Sequence, residues 1–141
     1  ADVANLRREV SQMRELVTIS MLTRSSAVDR LQGVSMSREV GNPDDRLLDA
    51  LIQTLGADPN VNVRLAAVDA LGRYSDREWV RKALVNSLEA ERSPLVQVSL
   101  IDLLTDLREP NAKEALQLLI ADDETIEPVK KRAKTGLEKF L

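Results

Sequence analysis

A run of nine residues returns in this chain at a fixed interval, and that recurrence restricts the available folds more than any other feature. Val63-Arg64-Leu65-Ala66-Ala67-Val68-Asp69-Ala70-Leu71 overlays Val96-Gln97-Val98-Ser99-Leu100-Ile101-Asp102-Leu103-Leu104 when 33 is added to every number, with apolar, small and acidic positions coinciding. A further 33 reaches Val129 to Leu137, where the Val, Ala and Leu of the first copy stand again at the first, fifth and ninth places. Repetition at such a period marks supersecondary units that cannot bury their apolar faces singly and must stack.

A second pattern precedes each copy, so the unit is a helix pair. Leu47, Ala50, Leu51, Ile52 and Leu55 match Val80, Ala83, Leu84, Val85 and Leu88, again 33 apart, and Ala115, Leu116 and Ile120 follow at 32. Their i, i+3, i+4 spacing places them on one helical face. Asn42-Pro43-Asp44-Asp45, Ser75-Asp76 and Glu109-Pro110-Asn111 carry polar caps or an early Pro suited to the orphan N–H groups of a helix start. Second helices are expected to begin near Asp58-Pro59, Ser93-Pro94 and Glu127-Pro128, because Pro cannot continue the first helix but fits the first turn of the next. The pairs expected are 44–74, 77–108 and 110–141, in repeats bounded at 44–76, 77–109 and 110–141.

These residues resemble the HEAT repeats, in their shorter bacterial form. The signature is an Asp in the inter-helix turn, a Val-Arg pair opening the second helix, then small residues and Ala-Leu-Gly, here Asp58, Val63-Arg64, Ala67 and Ala70-Leu71-Gly72. The resemblance implies an all-α fold, an α-solenoid of three helix pairs preceded by a long N-terminal helical segment. It also implies an Asp–Arg ladder between units, with Asp58 and Arg64 in its places. Glu124 and Lys130 keep the charges in the third unit, whereas the second departs with Glu91 and Gln97.

Composition removes most chemistry. The chain has 141 residues, 43% apolar and 30% charged, with a net charge of −3 and no His or Cys. Imidazole and thiolate catalysis, disulfides and Cys/His zinc sites therefore go together. Trp79, Tyr74 and Phe140 are the only aromatics, which leaves little for base-stacking platforms, and the mild acidity argues against nucleic acid. Trp79, at a helix start, is expected to pack on a neighbouring unit. Asp58-Pro59-Asn60-Val61-Asn62 begins like a calcium loop, but Val63 stands where Gly is needed and Asp69 where Glu is needed. Five Gly form no phosphate cradle. No cofactor and no enzymatic activity are expected; a lyase- or glycosylase-type HEAT enzyme is the least favoured reading.

At the C-terminal end Lys134 replaces Val68 and Ile101, and Lys130, Lys131, Arg132 and Lys139 crowd the same helix. A terminal repeat needs such a polar outer face, and this reading is preferred to a phosphate or acidic-partner patch.

Residues 1–43 differ from the array at 44–141. Val3, Leu6, Val10, Met13 and Val17 step by 3, 4, 3, 4 as a heptad seam, beside Arg7, Arg8, Glu9, Arg14 and Glu15. The seam breaks at Ser20 and Arg24, after which Arg30-Leu31-Gln32-Gly33-Val34 echoes Arg64-Leu65-Ala66-Ala67-Val68. Two readings stand side by side: a stalk that dimerises or attaches upstream, and a helix folded back to cap the array. Leu16 to Leu22 falls far short of the roughly 20 apolar residues a spanning helix needs, so no membrane contact is expected of these residues. The start at Ala1-Asp2, without Met, is taken as the mark of a processed or excised chain.

Leu6-Arg7-Arg8-Glu9-Val10 through Met13, Leu16-Val17 and Leu22 into Arg30-Leu31-Gln32-Gly33-Val34-Ser35 also looks like the region joining a membrane helix to a HEAT array in bacterial proteins. Those proteins have an N-terminal zinc-finger anti-sigma-factor-like domain. That resemblance implies the extracytoplasmic, periplasmic part of a single-pass transcription regulator; otherwise the chain is a cytoplasmic, generic HEAT binding module. On either reading the expected function is a non-catalytic scaffold for a protein or peptide. The expected partner face comprises Leu65, Asp69, Arg73, Val98, Asp102 and Asp106, exposed along the second helices, with homodimerisation through the N-terminal helix.

Overall fold

The computed structural model of the protein describes residues 2–141. The described residues are helical with short turns and no strand, in eight helices: α1 Val3–Met21, α2 Ala27–Ser37, α3 Asp45–Ala57, α4 Val61–Gly72, α5 Glu78–Ala90, α6 Pro94–Asp106, α7 Ala112–Ala121 and α8 Glu127–Glu138. The three expected pairs are the hairpins α3–α4, α5–α6 and α7–α8. The stretch before them is a fourth hairpin, α1–α2, in which α2 holds the residues that echo α4. The fold is all-α, of the α-solenoid class.

Starts and stops follow local chemistry. The side chains of Asp2, Asp44 and Asn60 accept hydrogen bonds from the N–H groups of Asn5, Arg46, and both Asn62 and Val63, which satisfies donors that no helical carbonyl reaches. Pro94 opens α6 and Pro128 stands in the first turn of α8. Arg108, after α6, is the one non-glycine residue at positive φ among the described residues, at 51°. Around it the N–H of Arg108 donates to Thr105 O and that of Glu109 to Leu104 O, the paired bonds of a Schellman cap.

The chain divides into two compact units, residues 1–73 and 74–141. In the first, α1 packs on α2 and α3, and α4 packs on α3 and α2. In the second, α5 packs on α6 and α7, and α8 on α7 and α6. Within each unit, then, first helices meet first helices and second helices meet second helices. A second helix touches both its hairpin partner and the neighbouring second helix, which is why α4 and α6 carry apolar residues nearly all round.

Leu47, Leu48, Leu51, Leu55, Val63, Ala67 and Leu71 form the core of the first unit, with Val34 contributed by α2. Val80, Leu84, Leu88, Val96, Leu100, Leu104, Leu116 and Ala133 form that of the second. Each fully buried Leu contributes about 1.5–3 kcal/mol relative to exposure. Gly33 allows α2 to approach the end of α1, since an added Cβ would lie 3.0 Å from Met21 Cβ and 3.2 Å from Leu22 Cδ2. Trp79 keeps 37% of its surface exposed and is not a core residue. No described helix is long and apolar enough to cross a membrane.

Candidate functional site

Three of the four inter-helix turns are built on one recurring contact. Arg64, the fourth residue of α4, donates from Nη1 to Asp58 O at 2.8 Å, six residues back. Arg30, the fourth residue of α2, donates in the same way to Arg24 O at 2.9 Å, and Gln97, the fourth residue of α6, donates from Nε2 to Glu91 O at 2.9 Å. Gln97 breaks the charge pattern of the sequence yet keeps this bond, because a carbonyl acceptor needs a donor and not a charge.

Asp58 ends α3 with its carboxylate buried. Arg30 Nε lies 2.7 Å from Oδ2 and Arg30 Nη2 3.2 Å from Oδ1, which also accepts from the Asn60 N–H at 2.9 Å. This fork holds the Arg30 guanidinium even more firmly protonated than usual, chiefly through the hydrogen bond. The carboxylate that begins like a calcium ligand is thus occupied by an arginine of the preceding hairpin.

The third unit departs from constant spacing. α7 has 10 residues where α3 and α5 have 13, so it ends at Ala121 and Asp122 takes the capping place of Asp58 and Glu91. Asp122 Oδ1 accepts from the Glu124 N–H at 2.9 Å. Glu124 is exposed, and among the described residues neither its side chain nor Lys130 joins an ion pair. The ladder assignment of Glu124 and Lys130 is therefore corrected: the acid in register is Asp122.

Of the expected partner face, three residues lie on α4 and its end and three on α6. On α4, Asp69 and Arg73 are exposed and Leu65 is half-buried. Asp69 pairs with Arg38, just after α2, at 3.2 Å. On α6, Asp106 is exposed while Val98 and Asp102 are half-buried. The expectation that Leu65, Val98 and Asp102 stand exposed is corrected, because a helix flanked by two neighbours leaves only a narrow stripe to solvent. Arg132 of α8 holds Asp102 in a two-point fork, Nε to Oδ1 at 2.6 Å and Nη2 to Oδ2 at 2.8 Å, and Lys139 lies 3.9 Å from Asp106. These four residues edge a groove of about 280 Å³ between α6 and α8. The basic cluster of α8 is otherwise solvent-facing at Lys131 and Lys134.

Another buried charge pair sits in the second unit, unmarked by any motif. Glu109, 4% exposed in the turn before α7, accepts from Arg81 Nε at 2.8 Å and from Asn111 Nδ2 at 2.7 Å. Burial pushes its carboxyl upward, but the hydrogen bonds from Arg81 and Asn111 outweigh that and leave it below the ordinary range. A depressed carboxylate is the reverse of what a proton donor needs at neutral pH, so Glu109 is a fastener. Leu95 and Leu118 are 63% and 55% exposed and also lie outside the expected set.

No curated protein and no solved structure matches the chain. A family model described as HEAT repeats does match it, over residues 48–138, which runs from α3 to the end of α8, and the chain belongs to that family.

Proposed function

We propose that this chain is a non-catalytic scaffold that binds a protein or peptide along the exposed stripes of its second helices. The observation that carries this reading is the Asp102–Arg132 fork beside Asp106 and Lys139, which fixes an alternating row of charges along the α6–α8 groove. Charges held in place lose little freedom when a partner arrives, and they select its register. Membership of the HEAT repeats supports the same class, since such repeats commonly mediate protein contacts. A peptide-display library panned against the chain, and against a variant carrying Asp106→Lys and Arg132→Glu, tests it. Binders lost in the variant support the proposal; no binders, or binders indifferent to the substitutions, would overturn it.

A finer reading makes the chain the extracytoplasmic part of an anti-sigma-like regulator. Its support is the likeness of Leu6–Ser35 to the segment that follows the membrane helix in such proteins. The gene sequence upstream of Ala1 decides it: a spanning stretch preceded by a Cys/His zinc motif supports it, and an unrelated soluble domain leaves a generic HEAT module.

A further inference from the structure

We propose that two copies of this chain associate through α1 as a parallel, in-register, two-stranded coiled coil. Residues 2–14 are exposed on every side of α1, and only from Glu15 onward does the helix pack, through Glu15, Thr18, Met21 and Leu22. The seam residues Val3, Leu6, Val10, Met13 and Val17 are 62%, 53%, 50%, 65% and 50% exposed. Thr18 lies about 100°, Leu22 about 140° and Glu15 about 160° around the helix from the middle of that seam; Met21 packs on the seam's own side but beyond its last residue, so packing on α2 and α3 leaves Val3 to Val17 exposed. Val3, Leu6 and Val10 of the seam, with Arg7 and Arg14, line one wall of an open groove of about 720 Å³ whose other wall is the end of α2 near Met36 and Glu39.

The occupant is specified by the heptad. With Val3, Val10 and Val17 at a, and Leu6 and Met13 at d, β-branched residues fill one core layer and unbranched or γ-branched residues the other, the combination that favours two parallel strands. Asp2 and Glu9 then fall at g, and Arg7 and Arg14 at e. In a parallel pair, each g residue faces the e residue of the partner's next heptad, which sets Asp2 against the partner's Arg7 and Glu9 against the partner's Arg14. Both contacts join opposite charges, and symmetry doubles them. An antiparallel pair would set g against g and e against e, acid on acid and arginine on arginine. Among the described residues, Arg7, Glu9 and Arg14 join no ion pair within the chain; Asp2 caps α1 through Oδ1, which accepts from the Asn5 N–H at 2.8 Å, and its other oxygen is the one that meets the partner's Arg7.

Two heptads make a weak seam in free peptides because each helix must first nucleate. Here that cost has been met by the anchored third of α1, and association joins two helices already formed. Five apolar layers bury less than the roughly 800 Å² per partner of a standard interface, so the expected Kd is on the order of 10–100 µM.

Sedimentation velocity on the full chain from about 5 to 500 µM, bracketing that Kd, should show a monomer–dimer equilibrium. Leu6→Lys with Met13→Lys should abolish it while leaving the thermal melt unchanged, since both side chains are exposed. Arg7→Glu with Arg14→Glu should weaken it at least tenfold. Direction is read separately: the chain has no cysteine, so Leu6→Cys should form a disulfide dimer under mild oxidation far faster than Gln12→Cys on another side of α1. A chain monomeric throughout, a dimer indifferent to the seam or charge variants, or a Leu6→Cys chain no faster than its control would overturn the proposal. Peptide binding along α4 or α6 is a separate readout and can fail without affecting this one.

Discussion

Arg30 grips Asp58 from one hairpin to the next, with Nε 2.7 Å from Oδ2 and Nη2 3.2 Å from Oδ1, while its Nη1 reaches back to Arg24 O and Ser25 O at 2.9 Å each. One guanidinium thus closes its own turn and pins the next. Arg30→Met keeps the stem but strands a buried carboxylate, and should lower Tm by about 5 °C or more, read by circular dichroism. Arg30→Lys should recover only part of that, because an ammonium cannot reproduce the fork. An unchanged melt for Arg30→Met would show that the pair carries no net stability.

Glu109 makes stability depend on acidity. Its folded-state pKa lies below the ordinary value near 4.5, so its contribution is fully present above that value and is lost as pH falls through it toward the folded pKa. Glu109→Gln should cost about 1–2 kcal/mol at pH 7. Denaturant melts should show the gap between wild type and variant constant down to about pH 5.5 and shrinking below. A gap that widened on acidification would contradict the assignment.

Arg108 holds a left-handed conformation, φ 51°, that favours glycine. Arg108→Gly should stabilise the chain by about 0.5–1 kcal/mol, seen as a Tm rise of a few degrees. A fall in Tm would mean that the arginine side chain contributes more than the backbone relief returns.

Thr105 and Gly136 are coupled. Thr105 Oγ1 is buried without a hydrogen-bond partner, and a Cβ added at Gly136 would lie 2.8 Å from it. Gly136→Ala should therefore destabilise by about 1–3 kcal/mol, despite the better helix propensity of Ala. Adding Thr105→Ala should restore most of the loss, a non-additivity that a double-mutant cycle on chemical denaturation measures. Thr105→Val alone should be neutral to stabilising, since it removes an unsatisfied hydroxyl.

The helix pairs were legible because burial on one face imposes i, i+3, i+4 spacing, and because Pro94 and Pro128 stand where second helices begin. The echo of Arg64–Val68 in Arg30–Val34 announced α2 as a repeat helix, although its partner Asp58 stands 28 residues away and no local pattern names it. Register failed where length changed. Constant spacing from Asp58 points to Glu124, but α7 stops two residues early and Asp122 caps it. Leu65 and Val98 are less exposed than a helical wheel implies, because a wheel shows one neighbour, whereas α4 packs on two helices of its unit and α6 on three. Glu109 and Arg81 are also 28 residues apart, and their meeting depends on tertiary packing that composition cannot display.

The bond from the fourth residue of a second helix to the carbonyl six places earlier lies wholly inside one hairpin, and it is made by Arg30, Arg64 and Gln97 alike. The hairpins α1–α2, α3–α4 and α5–α6 therefore each carry a hinge pin of their own and borrow none from their neighbours, whereas Lys130 makes no such bond in α7–α8. A gene encoding such a chain can gain or lose one of these three hairpins in register with the other pinned hinges still closed. What an insertion or excision puts at risk is the set of contacts across the new junction, so changes in array length are filtered at the seams between cassettes and not within them.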